Sequence, residues 1–123
     1  PGNILAPRAG PGRVLLLDYQ PFLQPPPQNG LAMSDLAYAM ALWWPEEARR
    51  TWAPALIEHW HARLESRGAG YASPERLRKD WRLCVAQTLM VPASRCAERG
   101  AMTEMRWLWQ MHLRRALAAL ADA

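Results

Sequence analysis

The sequence predicts a mainly α protein with a short N-terminal β-hairpin. Apolar residues recur at helical spacing from Ser34 to the C-terminus. Before that point, prolines and glycines crowd around two short aliphatic runs, where no helix can persist. The chain has 123 residues, half of them hydrophobic and 21% charged, which suits one domain around one core.

The first run is Ile4, Leu5 and Ala6, and the second is Val14 to Leu17. Between them lies "PRAGPG", whose Pro and Gly preset turn dihedrals, so the two runs read as the strands of a hairpin over residues 1–20. Residues 21–33 follow as a Pro-rich connection, in which Pro25, Pro26 and Pro27 lack backbone donors and hold an extended path. The helical part spans 34–123. Ser34 is placed to cap "DLAYAMALWW", with Asp35 in the positive first turn. Pro45 ends that helix and suits the first turn of the next, ahead of Glu46 and Glu47.

In the second helix Trp52, Leu56, Trp60 and Leu64 recur every four residues with Ala55 and His59 beside them, an apolar stripe closed by "RGAG". Ser73, Pro74 and Glu75 are an N-cap, a first-turn proline and a dipole-matched acid. Leu77, Trp81, Cys84, Val85, Thr88 and Leu89 form the next stripe, and Pro92 must end or kink that helix. After Gly100 a last helix carries Met102, Met105, Leu108, Trp109, His112, Leu113, Ala116, Leu117 and Leu120 on one broad face.

Composition narrows the function classes. No apolar run approaches the roughly 18–20 residues of a membrane helix, so no membrane partner is expected. The net charge of +4 comes from 15 basic residues, of which Lys79 is the only lysine. An arginine-heavy coding bias accounts for it. The basic residues sit on separate segments among acids, unlike a phosphate-tracking surface, and no nucleic-acid partner is expected. Cys84 and Cys96 make no CxxC motif or disulfide framework and read as free thiols in a cytoplasmic protein.

The chemistry concentrates at the N-terminal end. Asn3 directly precedes the first strand and Asp18 ends the second. A hairpin brings both to one end, where a carboxamide and a carboxylate oxygen can share a hard cation such as Mg²⁺ bound to a nucleotide. The plainer alternative is that Asn3 starts a turn and Asp18 closes a strand.

"PGNIL", "LLLDYQ" and "SDLAY" occur in that order, and together they resemble the catalytic-loop and metal-loop region of the aminoglycoside phosphotransferase and choline-kinase-like superfamily, closest to its ecdysteroid-kinase-like branches. The family pattern is HGDxHPGNIL, a hairpin, and a hydrophobic run ending in Asp, an aromatic and Gly, Glu or Gln. The resemblance covers the whole chain in layout, with its specific motifs confined to residues 1–38. It implies that residues 1–123 are the C-terminal part of a protein-kinase-like C-lobe. It also implies an ATP-dependent phosphotransferase acting on a small-molecule hydroxyl, with ATP and Mg²⁺ as cofactors. Asn3 matches the loop Asn that binds Mg²⁺, and Asp18 the Asp that bridges Mg²⁺ to the nucleotide phosphates. Asp35 matches the Asp that holds the catalytic loop by hydrogen bonds; by residue type alone it is equally a solvent-facing first-turn acid. The chain departs from the pattern in lacking the catalytic Asp of "HGD", expected upstream of Pro1, together with the Gly-rich loop and the phosphate-pairing Lys. As a C-terminal fragment it is expected to be inactive alone.

The remaining conspicuous residues have structural readings. No metal-ligand spacing involves His59, His61 or His112, which are expected on a core or surface. Trp52, Trp60, Trp81 and Trp109 are expected in the core, whereas Trp43 or Trp44, at a helix end, is placed to line a substrate cleft. Met102, Met105 and Met111 read as core filling. Mixed charge on the helices gives no acid-lined pocket for a polycation, so aminoglycosides are not favoured over neutral alcohols or sugars. The alternative from another class is a non-enzymatic helical interaction module.

Overall fold

The computed structural model describes residues 4–5, 7–10, 12, 15–16, 33–70, 73–98 and 105–123. These residues form a helical array. The expected fold, a β-hairpin leading into part of a protein-kinase-like C-lobe, is therefore corrected. Among the described residues the β-structure is two antiparallel rungs, β1 (Ile4–Leu5) against β2 (Leu15–Leu16), too short to make a hairpin element. Between them, Gly10 takes a left-handed φ of 73° in the exposed turn. Pro7 lies just beyond the first run and cannot donate to a ladder, so pairing cannot extend through it on the turn side. The Pro-rich connection over 21–32 lies outside the described residues.

Helix α1 (Ser34–Tyr38) continues directly into a π-helical turn (Ala39–Trp43). Met33 stands at the N-cap position and offers no side-chain cap, so the expected role of Ser34 is corrected: it is the first helical residue. Its hydroxyl lies 3.9 Å from the Cys84 sulfur, so it reaches a neighbouring helix rather than its own backbone. Trp44 is extended, as a residue before proline prefers. Pro45 occupies the N-cap of α2 (Glu46–Glu65), one position earlier than expected.

Helix α2 departs from its predicted stripe. Ala53 and Arg49 are its buried residues, Ile57 and Trp60 pack against the core, and Trp52 is 63% exposed. Its apolar residues are spread almost evenly around the axis, so periodicity alone does not select a face. Pro54, inside the helix, leaves the Arg50 carbonyl without its usual donor on an exposed side. At the C-terminus Gly68 adopts a φ of 72°, and the Ala69 N–H then donates to the Leu64 carbonyl at 3.0 Å.

Helix α3 (Pro74–Gln87) begins as the sequence predicts, with the Ser73 hydroxyl accepting from the Arg76 N–H at 3.2 Å and Pro74 in the first turn. The Glu75 carboxyl is held below its ordinary pKa by its own backbone N–H and by Ser73. Ser73→Ala removes this cap, and thermal unfolding should show a loss of about 1 kcal/mol. Cys84 and Val85 are buried, and Leu77 and Trp81 lean on the same core. Thr88 closes the helix, its hydroxyl donating to the Val85 carbonyl at 2.7 Å. The break precedes Pro92, which is buried in the first turn of α4 (Met90–Ala97), where its missing N–H breaks no intrahelical bond.

Helix α5 (Arg106–Ala121) buries His112, Ala116 and Ala119, while Leu117 and Met105 of the expected face are 53% and 37% exposed. It contacts α2, α3, α4 and the π turn, while α1 packs against α3. The core joins Met33, Ala37, Ala41, Cys84, Val85 and Ala119, with Ile57, Trp60, Leu77, Trp81 and Leu120 at its edge. Three alanines at this centre let the helix backbones approach closely, and the large indoles close the margins.

Candidate functional site

The two residues on which a metal site was expected, Asn3 and Asp18, lie outside the described residues. The ladder next to them has a defined register, Ile4 opposite Leu16 and Leu5 opposite Leu15. Asn3 is the residue before Ile4, and Asp18 is two beyond Leu16. Both therefore follow, in sequence, from the same end of the paired segment. Asp35 is described: it is exposed in the first turn of α1.

Downstream of α1 the structure brings Trp44 against residues of α2 that the sequence places on one stripe. Trp44 lines a shallow apolar groove of about 390 Å³ with Trp52, Ala55, Leu56 and His59 of α2. The exposure of Trp52 thus has a local cause, since it forms a wall of this groove rather than part of the core. The groove lining holds no Asp, Glu, Lys or Arg. It can take a flat uncharged group against its indoles, and it offers no counter-charge to a cation.

Below the other side of the same helix end, His112 is fully buried. Its ring stands edge-on to Trp43 at 4.5 Å between centroids and to Trp109 at 5.8 Å. Beside it, Arg115 Nη1 donates to the Trp43 carbonyl at 3.0 Å and to the Leu42 carbonyl at 3.3 Å. The arginine thereby satisfies carbonyls at the end of the π turn.

No family model, curated protein or solved structure matches this chain.

Two further clusters involve buried charge. Arg49 is 5% exposed and donates to Asp122 Oδ2 at 2.6 Å, and Arg50 Nε donates to the same oxygen at 2.9 Å. The Arg50 and Arg49 guanidinium groups hold the Asp122 carboxyl below its ordinary pKa, and Asp122 in turn raises that of Arg50. Asp80 is also buried and pairs with Arg76 one turn earlier at 3.2 Å. Burial pushes the Cys84 thiol up, the Ser34 hydroxyl opposes this and Asp80 adds to it, so Cys84 is a packed neutral thiol and not a nucleophile. Cys84 and Cys96 are both free. Among the described residues, no group of three or more His, Cys, Asp or Glu side chains is arranged to hold a metal. None of their helices is long and apolar enough to cross a membrane.

Sequence reasoning did not single out Arg49, Asp122 or Arg115. Each acts across more than seventy residues of chain, on partners 73 or 72 positions away. No local signal marks such a pair.

Proposed function

We propose that this chain is the C-terminal part of an ATP-dependent phosphotransferase that acts on a small-molecule hydroxyl in the cytoplasm. The observation that carries the reading is the ordered set "PGNIL", "LLLDYQ" and "SDLAY" within residues 1–38. Asn3 and Asp18 supply one carbonyl oxygen and one carboxylate, the hard donor set that Mg²⁺ accepts while keeping water and phosphate as its other ligands. Bound Mg²⁺-ATP supplies charge neutralisation on the phosphate oxygens during phosphoryl transfer. Asn3 and Asp18 fix the position of that charge. The general base that orients the acceptor hydroxyl belongs to a segment preceding this sequence. The uncharged lining at Trp44 favours a neutral acceptor over a polycation.

One observation favours a second reading, a non-enzymatic helical interaction module. Trp52, Met90 and Trp107 stand 63%, 70% and 64% exposed on three different helices. Phosphoryl transfer separates the two. The protein carrying the upstream segment, given Mg²⁺-ATP and a panel of neutral alcohols, should release ADP and phosphorylated acceptor. The 123-residue chain under the same conditions should give only background ADP. Turnover by the short chain would overturn the assignment of the general base to a preceding segment, and a longer protein that neither binds nor hydrolyses Mg²⁺-ATP would falsify the phosphotransferase reading.

A further inference from the structure

A neutral imidazole carries one N–H donor and one nitrogen acceptor, and burying either without a partner is unfavourable. His112 of α5 buries both. Its exposure is 0%, and neither Nδ1 nor Nε2 has a hydrogen-bond partner. The neighbouring indole of Trp109 also has its Nε1 buried and unpartnered. The surroundings are therefore aromatic edges and faces, with Trp43 at 4.5 Å and Trp109 at 5.8 Å. Among the described residues they provide no anion to balance a proton.

The charges near this site point the same way. The π turn, "AMALW", has no charged residue. On α5 the nearby charge is Arg115, a cation. On the other elements that α5 touches, Arg49 of α2 is committed to Asp122, Asp80 of α3 to Arg76, and Arg95 of α4 to Glu98. Burial first, and then Arg115, push the His112 pKa down.

From this geometry we infer that His112 is an acid-sensitive joint between α5 and the π turn, which holds the two together while neutral and releases them when protonated. An imidazolium here carries a second N–H donor and a full charge, and Arg115 repels it. The protein meets that penalty by moving the ring into water. Such a movement withdraws the ring from Trp43 and takes with it the adjacent Arg115 bonds to the Leu42 and Trp43 carbonyls.

The sign follows from linkage. The native pKa is lowered below the unfolded value of about 6.5, so the unfolded chain binds the proton first as pH falls. Stability is complete above that value and is lost as pH drops from it toward the lowered native value. With one proton involved, the folding equilibrium constant falls by up to about tenfold per pH unit within that window.

Denaturant unfolding of the full chain between pH 7.5 and 4.5 reads this directly. The wild type should lose stability with that slope below about pH 6.5. His112→Phe replaces the ring by an apolar one of similar shape and should flatten the curve. An NMR titration of the wild type follows the His112 ring without any substitution and covers the case in which His112→Phe does not fold. Its Cε1–H signal should stay in the neutral form below the pH at which the unfolded chain titrates. The proposal is overturned if His112→Phe retains the wild-type slope, or if the folded His112 ring titrates at or above about 6.5.

Discussion

On the proposed phosphotransferase reading, Asp18→Asn should lower turnover of the protein carrying the upstream segment by about a hundredfold to a thousandfold, the scale set by removing one preorganised charge-stabilising group. The substitution keeps the size of the side chain and removes its charge, so it separates metal binding from packing. If Asp18 bridges Mg²⁺ to the nucleotide phosphates, the loss has a specific form. Mg²⁺-dependent ATP affinity falls together with turnover, and raising free Mg²⁺ restores part of both. Asn3→Ala should act in the same direction with a smaller effect, because a neutral carbonyl donor contributes less than a carboxylate. If Asp18 merely closes a strand, Asp18→Asn lowers thermal stability and leaves the dependence on Mg²⁺ as it was. Isothermal titration with Mg²⁺-ATP, beside steady-state rates at several metal concentrations, distinguishes these outcomes.

Asp122→Asn should destabilise the fold by about 2–3 kcal/mol, near the lower end for breaking a buried pair, since the Arg49 guanidinium is buried while Asp122 is 31% exposed. On a domain of this size the melting temperature should drop by about 10 °C. The asymmetry of the pair gives a second test. Removing the anion strands a buried cation, whereas Arg49→Met removes the charge along with its need for a partner and should be the milder change. Asp122→Asn introduced on top of Arg49→Met should then add little, and a double-mutant cycle reads the difference as coupling. The pair also has a pH signature distinct from that of His112. The Asp122 carboxyl is lowered by Arg50 and Arg49, so its contribution is present above the ordinary aspartate value of about 3.9 and is lost as pH falls through the lowered native value. Acid unfolding should therefore show two steps, one below about pH 6.5 and one below about pH 4, each removed by its own substitution.

Legibility in the sequence followed the range of the interactions concerned. The start of α3 was readable because Ser73, Pro74 and Glu75 act on backbone within the same turn. Its buried face was readable because Cys84, Val85 and Thr88 share one side with Leu77 and Trp81. Helix α2 was misread because its bulky residues do not segregate to one side. The face that enters the core is set by Arg49 and Ala53, and Arg49 is tolerable there only because Asp122 meets it. The face of α5 was read correctly at His112 and Ala116 and wrongly at Leu117, where Ala119 supplies the closer approach that the crowded helices require. The N-terminal motifs pointed to chemistry through residue type and order. They did not specify a hairpin fold, since two apolar runs of three and four residues are too short to make strands stable by themselves.

Arg115 and Asp122 attach α5 to the same stretch of chain, residues 42–50, at two points. A ribosome releases that stretch long before it releases α5. Until then the Leu42 and Trp43 carbonyls lack the Arg115 donor and the Arg49 guanidinium lacks Asp122. The π turn and the first turn of α2 are thus made early but completed only once α5 has been made, and any pause or premature stop before Arg115 leaves both open to proteases and chaperones.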